Sequence, residues 1–192
     1  MKIAVLMFLV LYAVERLLET FWKREKVAGE IQIPYSLPLI IAVYVSLYLV
    51  VFYGWFRLDE QSFRRPIVMT GTILVITSVI GRNWAIKTLG VFHSIHIEIR
   101  NKHDLIQSGP YQYVRNPYYL SNIIEAIGLA LMVGSRLALY ISVLVYVPVL
   151  VHRMLLEEKS LSQKFGASFV KYEQQVPRII PRLFHAKERS EF

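Results

Sequence analysis

The chain has no cysteine among its 192 residues. That excludes disulfide staples, thiolate nucleophiles and any metal site built on sulfur. Charge is scarce as well: 19% of residues are Asp, Glu, Lys or Arg, against 55% that are hydrophobic, and mean hydropathy is +0.41. A soluble domain of this length carries more polar surface. Acidic residues are the scarcer sign, 14 against 22 basic, leaving a net charge of +8. In a soluble protein such an excess could suggest nucleic acid. In so apolar a chain it marks loops that face anionic lipid, so no nucleic-acid partner is expected.

What is there instead is a series of long apolar runs. Five segments approach the roughly 20 residues that a bilayer core requires: residues 3–21, 33–55, 66–86, 117–133 and 137–156. Glu15, Arg16 and Glu19 interrupt the first. Lys2 ahead of an apolar run also suits a signal peptide, but no small-residue cleavage site follows. The segment therefore reads as a helix whose charged end meets the interface, with Arg16 free to snorkel. Met132-Val-Gly-Ser-Arg136 is short enough only for a tight hairpin, Pro148 predicts a kink in the last span, and Trp22, Trp55 and Trp84 read as interfacial anchors. The expected fold class is an all-α integral membrane protein of about five transmembrane helices. It forms one domain, 1–192, with three spans in 1–88 and two more spans plus an amphipathic C-terminal helix in 89–192.

Charge sets the expected orientation. The first loop (Lys23, Arg24, Lys26), the third loop (Arg82, Lys87, Arg100, Lys102, Arg115) and the tail from Arg153 onward hold sixteen basic residues, and the opposite side holds five. By the positive-inside rule, loop 89–116 and the tail are cytoplasmic and the N-terminus lies outside.

Two polar stretches thereby share one face. The first is His103-Asp-Leu-Ile-Gln-Ser-Gly-Pro-Tyr-Gln-Tyr-Val-Arg-Asn-Pro-Tyr-Tyr119. Gly109-Pro110 is a turn signal. Asn116-Pro117 reads as a helix start, a capping side chain followed by a proline whose missing N–H costs nothing there. In the second stretch Leu161, Phe165, Phe169, Tyr172 and Val176 recur at helical spacing. They form a stripe that predicts a helix lying on the bilayer surface, ended by Val176-Pro-Arg-Ile-Ile-Pro181. Arg153 and Glu157 stand one turn apart near the membrane boundary, where ionisable groups are functional candidates. Glu125, two turns into the fourth span, is expected to face the bundle or a cavity. His93, His96 and His103 lack a carboxylate or cysteine set at ligand spacing, so no metal is expected.

Together these blocks carry a resemblance. His103-x-Leu-Ile-x-x-Gly-Pro-Tyr-x-Tyr-x-Arg-Asn-Pro-x-Tyr, Arg153-x-x-x-Glu-Glu-x-x-Leu, Phe165-Gly and Tyr172-x-x-x-Val-Pro-Arg-x-x-Pro resemble the isoprenylcysteine carboxyl methyltransferases and the wider phospholipid methyltransferase group. The likeness covers residues 90–183, and the small size is similar to the five-span prokaryotic members. It implies an integral-membrane methyltransferase that uses S-adenosylmethionine on a lipid-like carboxylate, an isoprenylcysteine or other lipophilic substrate reaching the site from the membrane. The cofactor pocket would lie between the long loop and the C-terminal helix. By position, His103, Asp104, Leu105, Ile106 and Tyr111 would line the cofactor. Asn116, Pro117, Tyr118 and Tyr119 would border its methionine moiety, Glu157 its amino end, and His96 would stand where eukaryotic members use a glutamine. Arg153 would hold the substrate carboxylate as the catalytic residue. The chain departs from the family in having Asn116 for a histidine, which cannot titrate, and Phe169 for a tyrosine. A phospholipid amine methyltransferase, a sterol reductase relative using a nicotinamide cofactor, and a non-enzymatic membrane scaffold are the competing readings. A guanidinium at Arg153 attracts a carboxylate and repels a protonated amine.

Overall fold

The computed structural model describes residues 1–21, 30–31, 33–57, 64–94, 96–99 and 104–181. All five apolar segments are helical. They form α1 (Lys2–Phe21), α2 (Ser36–Arg57), α3 (Arg65–Leu89), α4 (Pro117–Met132) and, after a hairpin, α5 (Arg136–Ile141) running into α6 (Val147–Phe165). A short α7 (Ala167–Gln175) follows, and a two-residue antiparallel pair, β1 (Glu30–Ile31) with β2 (Glu98–Ile99), ties the first loop to the third. Among the described residues, three helical stretches are long and apolar enough to cross a membrane: Ser36–Arg57, Arg65–Phe92 and Arg136–Phe165. α1 carries three charges in its second half, and α4 is only 16 residues long. Leu11, Leu49, Phe56, Met69, Ile80 and Leu144 point outward, each more than half exposed. Apolar side chains on the outside of a helical bundle fit contact with lipid. The chain is an integral membrane protein.

α3 and α4 approach most closely, because glycine faces glycine. A methyl group on Gly71 would stand 2.5 Å from the Met132 amide nitrogen and 2.6 Å from the Gly128 carbonyl oxygen. Small residues let backbones touch where no hydrophobic force drives helices together in lipid. The core that results gathers Leu9, Leu47, Val51, Val75, Leu129, Met132 and Tyr146. The 132–136 hairpin forms as expected: Gly134 takes a positive φ of 66°, and Ser135 Oγ caps α5 by accepting from the Ala138 amide at 3.2 Å. Pro148 is accommodated by a π-helical turn over Ser142–Tyr146, which spares the ring a clash with the carbonyl one turn back.

Inside the bundle lies a cluster of charge. Arg82 on α3 is fully buried and donates to Glu125 on α4 (2.5 Å) and to Glu19 (2.5 Å) and Glu15 (2.9 Å) on α1. Arg16 donates to Glu19 (3.1 Å) and to the Tyr44 hydroxyl (2.7 Å), and its Nε lies 3.6 Å from Glu125. Tyr44 in turn donates to Glu125. Two sequence expectations are corrected here. Arg82 is no loop charge, because α3 continues to Leu89, and Arg16 does not snorkel. Buried carboxylates supply both with partners, and an unpaired guanidinium inside the bundle costs far more than a paired one. Glu125 faces the bundle interior, as its depth in the fourth span suggested.

The tail differs from its expected form as well. Gly166, with φ at 51° and ψ at −123°, a backbone conformation that glycine alone takes readily, ends α6 and turns the chain into α7, so the apolar stripe is split between two helices. Phe169, Tyr172 and Val176 still converge, but on Leu105, Leu161 and Phe165 rather than on the bilayer. Phe169 and Tyr172 are each 3% exposed. The tail helix spends its hydrophobic face on the long loop.

Candidate active site

A cavity of about 580 Å³ lies where the loop, the tail and the helix ends meet. Its loop and tail wall is made by His96, Asp104, Leu105, Ile106, Tyr111, Phe165, Phe169 and Tyr172. Tyr118, Tyr119 and Asn122 on α4 and Leu150, Arg153 and Glu157 on α6 form its middle. Toward the bundle it continues between α1 and α2 along Leu17, Ile40, Ile41, Val45, Leu49 and Phe52. Ile41, Val45 and Leu49 are about half exposed or more, so this arm reaches the lipid-facing surface.

Ten of the twelve residues singled out from the sequence line this one space: His96, Asp104, Leu105, Ile106, Tyr111, Asn116, Tyr118, Tyr119, Arg153 and Glu157. Pro117 is buried at the first position of α4 and does not line it. His103 lies outside the described residues, as does Trp22. Local structure explains how distant stretches converge. Gly109, with φ at 58°, begins a 3₁₀ turn over Gly109–Gln112, and a methyl group there would stand 2.6 Å from the Thr88 hydroxyl. The turn therefore packs directly on the end of α3. It buries Tyr111, whose backbone carbonyl accepts from the Tyr172 hydroxyl at 2.6 Å. Burial pushes the Tyr111 hydroxyl well above its ordinary value, with the Glu157 charge adding to the shift. Burial does the same to Tyr172. Both remain neutral donors across the physiological range.

Arg153 and Glu157 point into the middle of the cavity from successive turns of α6. The Tyr119 hydroxyl donates to Glu157 Oε2 at 2.5 Å. Arg153, 8% exposed, donates from Nη1 to Ser36 Oγ at 3.0 Å, and Ser36 donates onward to the Ile33 carbonyl at 2.9 Å. The guanidinium is thus aimed by the start of α2, more than a hundred residues away in sequence. Nothing in the sequence distinguishes Ser36 from an ordinary helix-start serine, so its role was not legible there.

Sequence reasoning also passed over Glu158. This carboxylate, 6% exposed, receives Arg115 Nε (3.1 Å), Asn116 Nδ2 (2.6 Å) and Arg178 Nε (2.8 Å). Arg115 further donates to the Glu173 side chain (2.9 Å) and to the Glu173 carbonyl (2.9 Å). The Arg115 and Asn116 amides pair with the Pro177 and Arg178 carbonyls at 2.9 and 3.2 Å. The expected cap is corrected: Asn116 makes no side-chain bond to the first turn of α4. Its amide is committed to Glu158, because a charged acceptor is the stronger partner. Asn116 and Glu158 bolt the tail to the loop, so that the site wall closes. The adjacent pair Glu157-Glu158 on one helix offered the signal, one carboxylate facing the cavity and the next facing the strap.

Comparison with known proteins places this arrangement. Residues 66–168, more than half of the chain, match the family model described as phospholipid methyltransferase. The protein-S-isoprenylcysteine O-methyltransferase B of Arabidopsis thaliana is 28% identical over 151 residues, 77% of this chain and 73% of that protein. The mouse delta(14)-sterol reductase TM7SF2 is 39% identical over 82 residues, which is 42% of this chain but only 20% of the reductase. Among solved structures, the eukaryotic intramembrane Ras methyltransferase ICMT (isoprenylcysteine carboxyl methyltransferase) superposes with a TM-score of 0.64 at 25% identity, covering 75% of this chain and 52% of that one. The chain thus spans about half the length of that solved methyltransferase. On the family match, the relatives and the shared membrane fold, the chain belongs to the phospholipid methyltransferase family of integral membrane methyltransferases.

Proposed function

We propose that the chain transfers a methyl group from S-adenosylmethionine to the carboxylate of a lipophilic acceptor, of the isoprenylcysteine kind that its relatives are named for. The observation that carries this reading is the joining, in one cavity, of a buried arginine, an aromatic loop-and-tail wall and an apolar arm open to lipid. The residues present fit the cofactor. Phe165, Phe169 and Leu105 offer flat apolar surface for the adenine. The His96 side chain carries a buried Nδ1 without a hydrogen-bond partner among the described residues, suited to a ribose or base polar atom. Glu157, held by Tyr119, offers a carboxylate to the ammonium end. S-adenosylmethionine supplies a methyl group on a sulfonium, already activated for displacement.

The chain's own residues then have three tasks. A carboxylate is ionised and nucleophilic at neutral pH, so no general base is needed. Arg153 presents parallel N–H donors that fix the direction of the carboxylate as well as its charge. The Ser36 contact holds the guanidinium in one rotamer, which keeps the attacking oxygen aligned. The strap closed by Glu158 would keep bulk water out of the loop-and-tail side of the cavity. Asp104, Ile106, Tyr111, Asn116, Tyr118, Tyr119 and Pro117 take supporting positions in this reading, with His103 assigned beside them by sequence alone.

The same reading gives five spans, counting α1 and α4 beside the three stretches of full length. α1 is supported as a span by its internal partners, since its charges face Arg82 and Glu125. The loop, the tail and the cavity mouth then lie on the cytoplasmic side, with the N-terminus outside, all within one membrane domain. The family description favours one second reading, methylation of a phospholipid amine. Arg153 argues against it, because a guanidinium repels a protonated amine.

Purified protein in liposomes, given methyl-labelled S-adenosylmethionine and either N-acetyl-S-farnesylcysteine or phosphatidylethanolamine, tests the reading. Label that appears in the carboxylic acid and is released by mild alkali as methanol supports it. Label that appears only in alkali-stable phospholipid overturns it.

A further inference from the structure

The lipid-facing arm of the cavity, apolar along Ile41, Val45 and Leu49, is interrupted by polar groups at one depth. There the Arg16 guanidinium and the Tyr44 and Tyr48 side chains line it. A plain hydrocarbon tail passing this point offers these groups nothing to bond, so whatever they leave unpaired marks what they suit.

Proton by proton, the bonds leave two groups over. Arg16 donates from Nε to the Tyr44 hydroxyl at 2.7 Å and from Nη1 to Glu19 at 3.1 Å, and its Nη2 meets no acceptor among the described residues. Tyr44 gives its single hydroxyl proton to Glu125. Tyr48 therefore supplies the proton of the 3.0 Å bond between the two tyrosines, and its own oxygen keeps acceptor capacity. The two rings lie 4.8 Å apart and the guanidinium lies 5.0 Å from the Tyr44 ring. A donor edge and an acceptor oxygen thus stand side by side on the wall.

Charge says what kind of group they take. Behind them two guanidiniums, Arg16 and Arg82, face three carboxylates, Glu15, Glu19 and Glu125. A further anion would add to that negative excess inside the bundle, and a protonated amine would meet the guanidinium edge. A neutral hydroxyl can accept from Arg16 Nη2 and donate to the Tyr48 oxygen, whereas a carbonyl satisfies only the first. Depth follows from α2. Ser36, which holds Arg153, precedes Tyr44 and Tyr48 by eight and twelve residues. That is about 12 and 18 Å along the helix axis. Tyrosine side chains lean back toward the helix start, which sets their hydroxyls roughly 10 Å from the Arg153 anchor. An extended alkyl chain covers this in about eight to ten bonds.

We propose that Arg16 and Tyr48 form a second binding subsite, for a neutral hydroxyl carried on the acceptor's hydrocarbon tail about eight to ten bonds from the reacting carboxylate. This assignment rests on the carboxyl-methyltransferase reading above and adds a hydroxylated tail to it.

Three C18 acids test it in liposomes with methyl-labelled S-adenosylmethionine, beside N-acetyl-S-farnesylcysteine. Wild-type kcat/KM is expected to be about tenfold higher for 10-hydroxyoctadecanoic acid than for octadecanoic acid, with no such gain for 2-hydroxyoctadecanoic acid. An arm without the subsite gives the reverse order, because a hydroxyl buried unpaired is penalised. In Tyr48→Phe, checked for folding by its binding of S-adenosylhomocysteine, the preference falls to about one or below. The reverse order in the wild type, an equal gain from the 2-hydroxy acid, or a variant that keeps the wild-type ratio overturns the assignment. Should the variant not fold, the wild-type order decides alone. Methylation of N-acetyl-S-farnesylcysteine and of none of the C18 acids overturns the assignment and leaves the carboxyl-methyltransferase reading standing. Methyl ester on no acceptor overturns both.

Discussion

Replacing Glu158 with alanine is expected to release the tail from the loop without unfolding the bundle. The carboxylate is 6% exposed and serves three donor groups on two segments. Stranding a partner of a buried ion pair costs about 3–5 kcal/mol. Arg115 keeps the Glu173 carboxylate and the carbonyls of Glu173 and Val176, which places the loss at the lower end of that range. Arg178, with its side chain 45% exposed, adds little. A loss of about 3 kcal/mol corresponds to a shift of roughly a hundredfold in the equilibrium between docked and released strap. Hydrogen exchange reads this directly, because the Arg115 and Asn116 amides are covered by the Pro177 and Arg178 carbonyls. Their protection should drop by about that factor, while the amides of α3 stay as protected as before. Affinity for S-adenosylhomocysteine should weaken in parallel, and Glu158→Gln should lie between, since it keeps one acceptor oxygen and loses the charge. Unchanged protection of both amides in a folded Glu158→Ala protein would refute the clamp.

Three other outcomes follow from the same geometry. Arg153→Ala should lower turnover by about two to three orders of magnitude, as misplacing a reacting group does. Its affinity for S-adenosylhomocysteine, measured by titration, should change severalfold at most, and equal losses in both would remove the assigned role. Gly71→Leu forces a side chain into backbone 2.5 Å away, so the thermal midpoint in detergent should fall by several degrees, about 1–3 kcal/mol of overpacking. Raising pH should loosen the loop–tail unit: Tyr172 resists ionisation in the folded chain, whereas in the unfolded chain it ionises near its ordinary value of about 10. Its contribution is therefore complete below that pH and is lost above it. Tyr172→Phe, followed by alkaline melting curves, should flatten this slope.

The helices were legible because apolar length and turn residues are local signals. Residues 33–55 and 137–156 show this, their starts marked by Pro34 and by the Gly134 turn. The convergence of the loop and tail on one cavity was legible only through the resemblance of three separated motifs, since no periodicity links Leu105 to Phe169. What the sequence hid are contacts between segments far apart in the chain. Arg82 counted as loop charge because nothing local reveals that Glu15, Glu19 and Glu125 surround it. The apolar stripe from Leu161 to Val176 correctly announced a buried face, but a stripe does not say what buries it, and here the loop does so in place of lipid. Asn116 looked like a cap because asparagine before proline commonly is one, and Glu158 outbid the helix end for its amide. Ser36 offered no signal at all.

In the proposed function this cavity holds S-adenosylmethionine between the loop and the tail, with Glu157 at its ammonium end. Calorimetric titration of detergent-solubilised protein with S-adenosylhomocysteine, beside the Glu157→Gln variant, tests it most directly. Saturable one-to-one binding at micromolar concentration, weakened at least tenfold in the variant as expected for loss of a charged hydrogen bond, is the predicted result. A folded wild-type protein that binds no S-adenosylhomocysteine, or a variant that binds it as tightly as wild type, would contradict it.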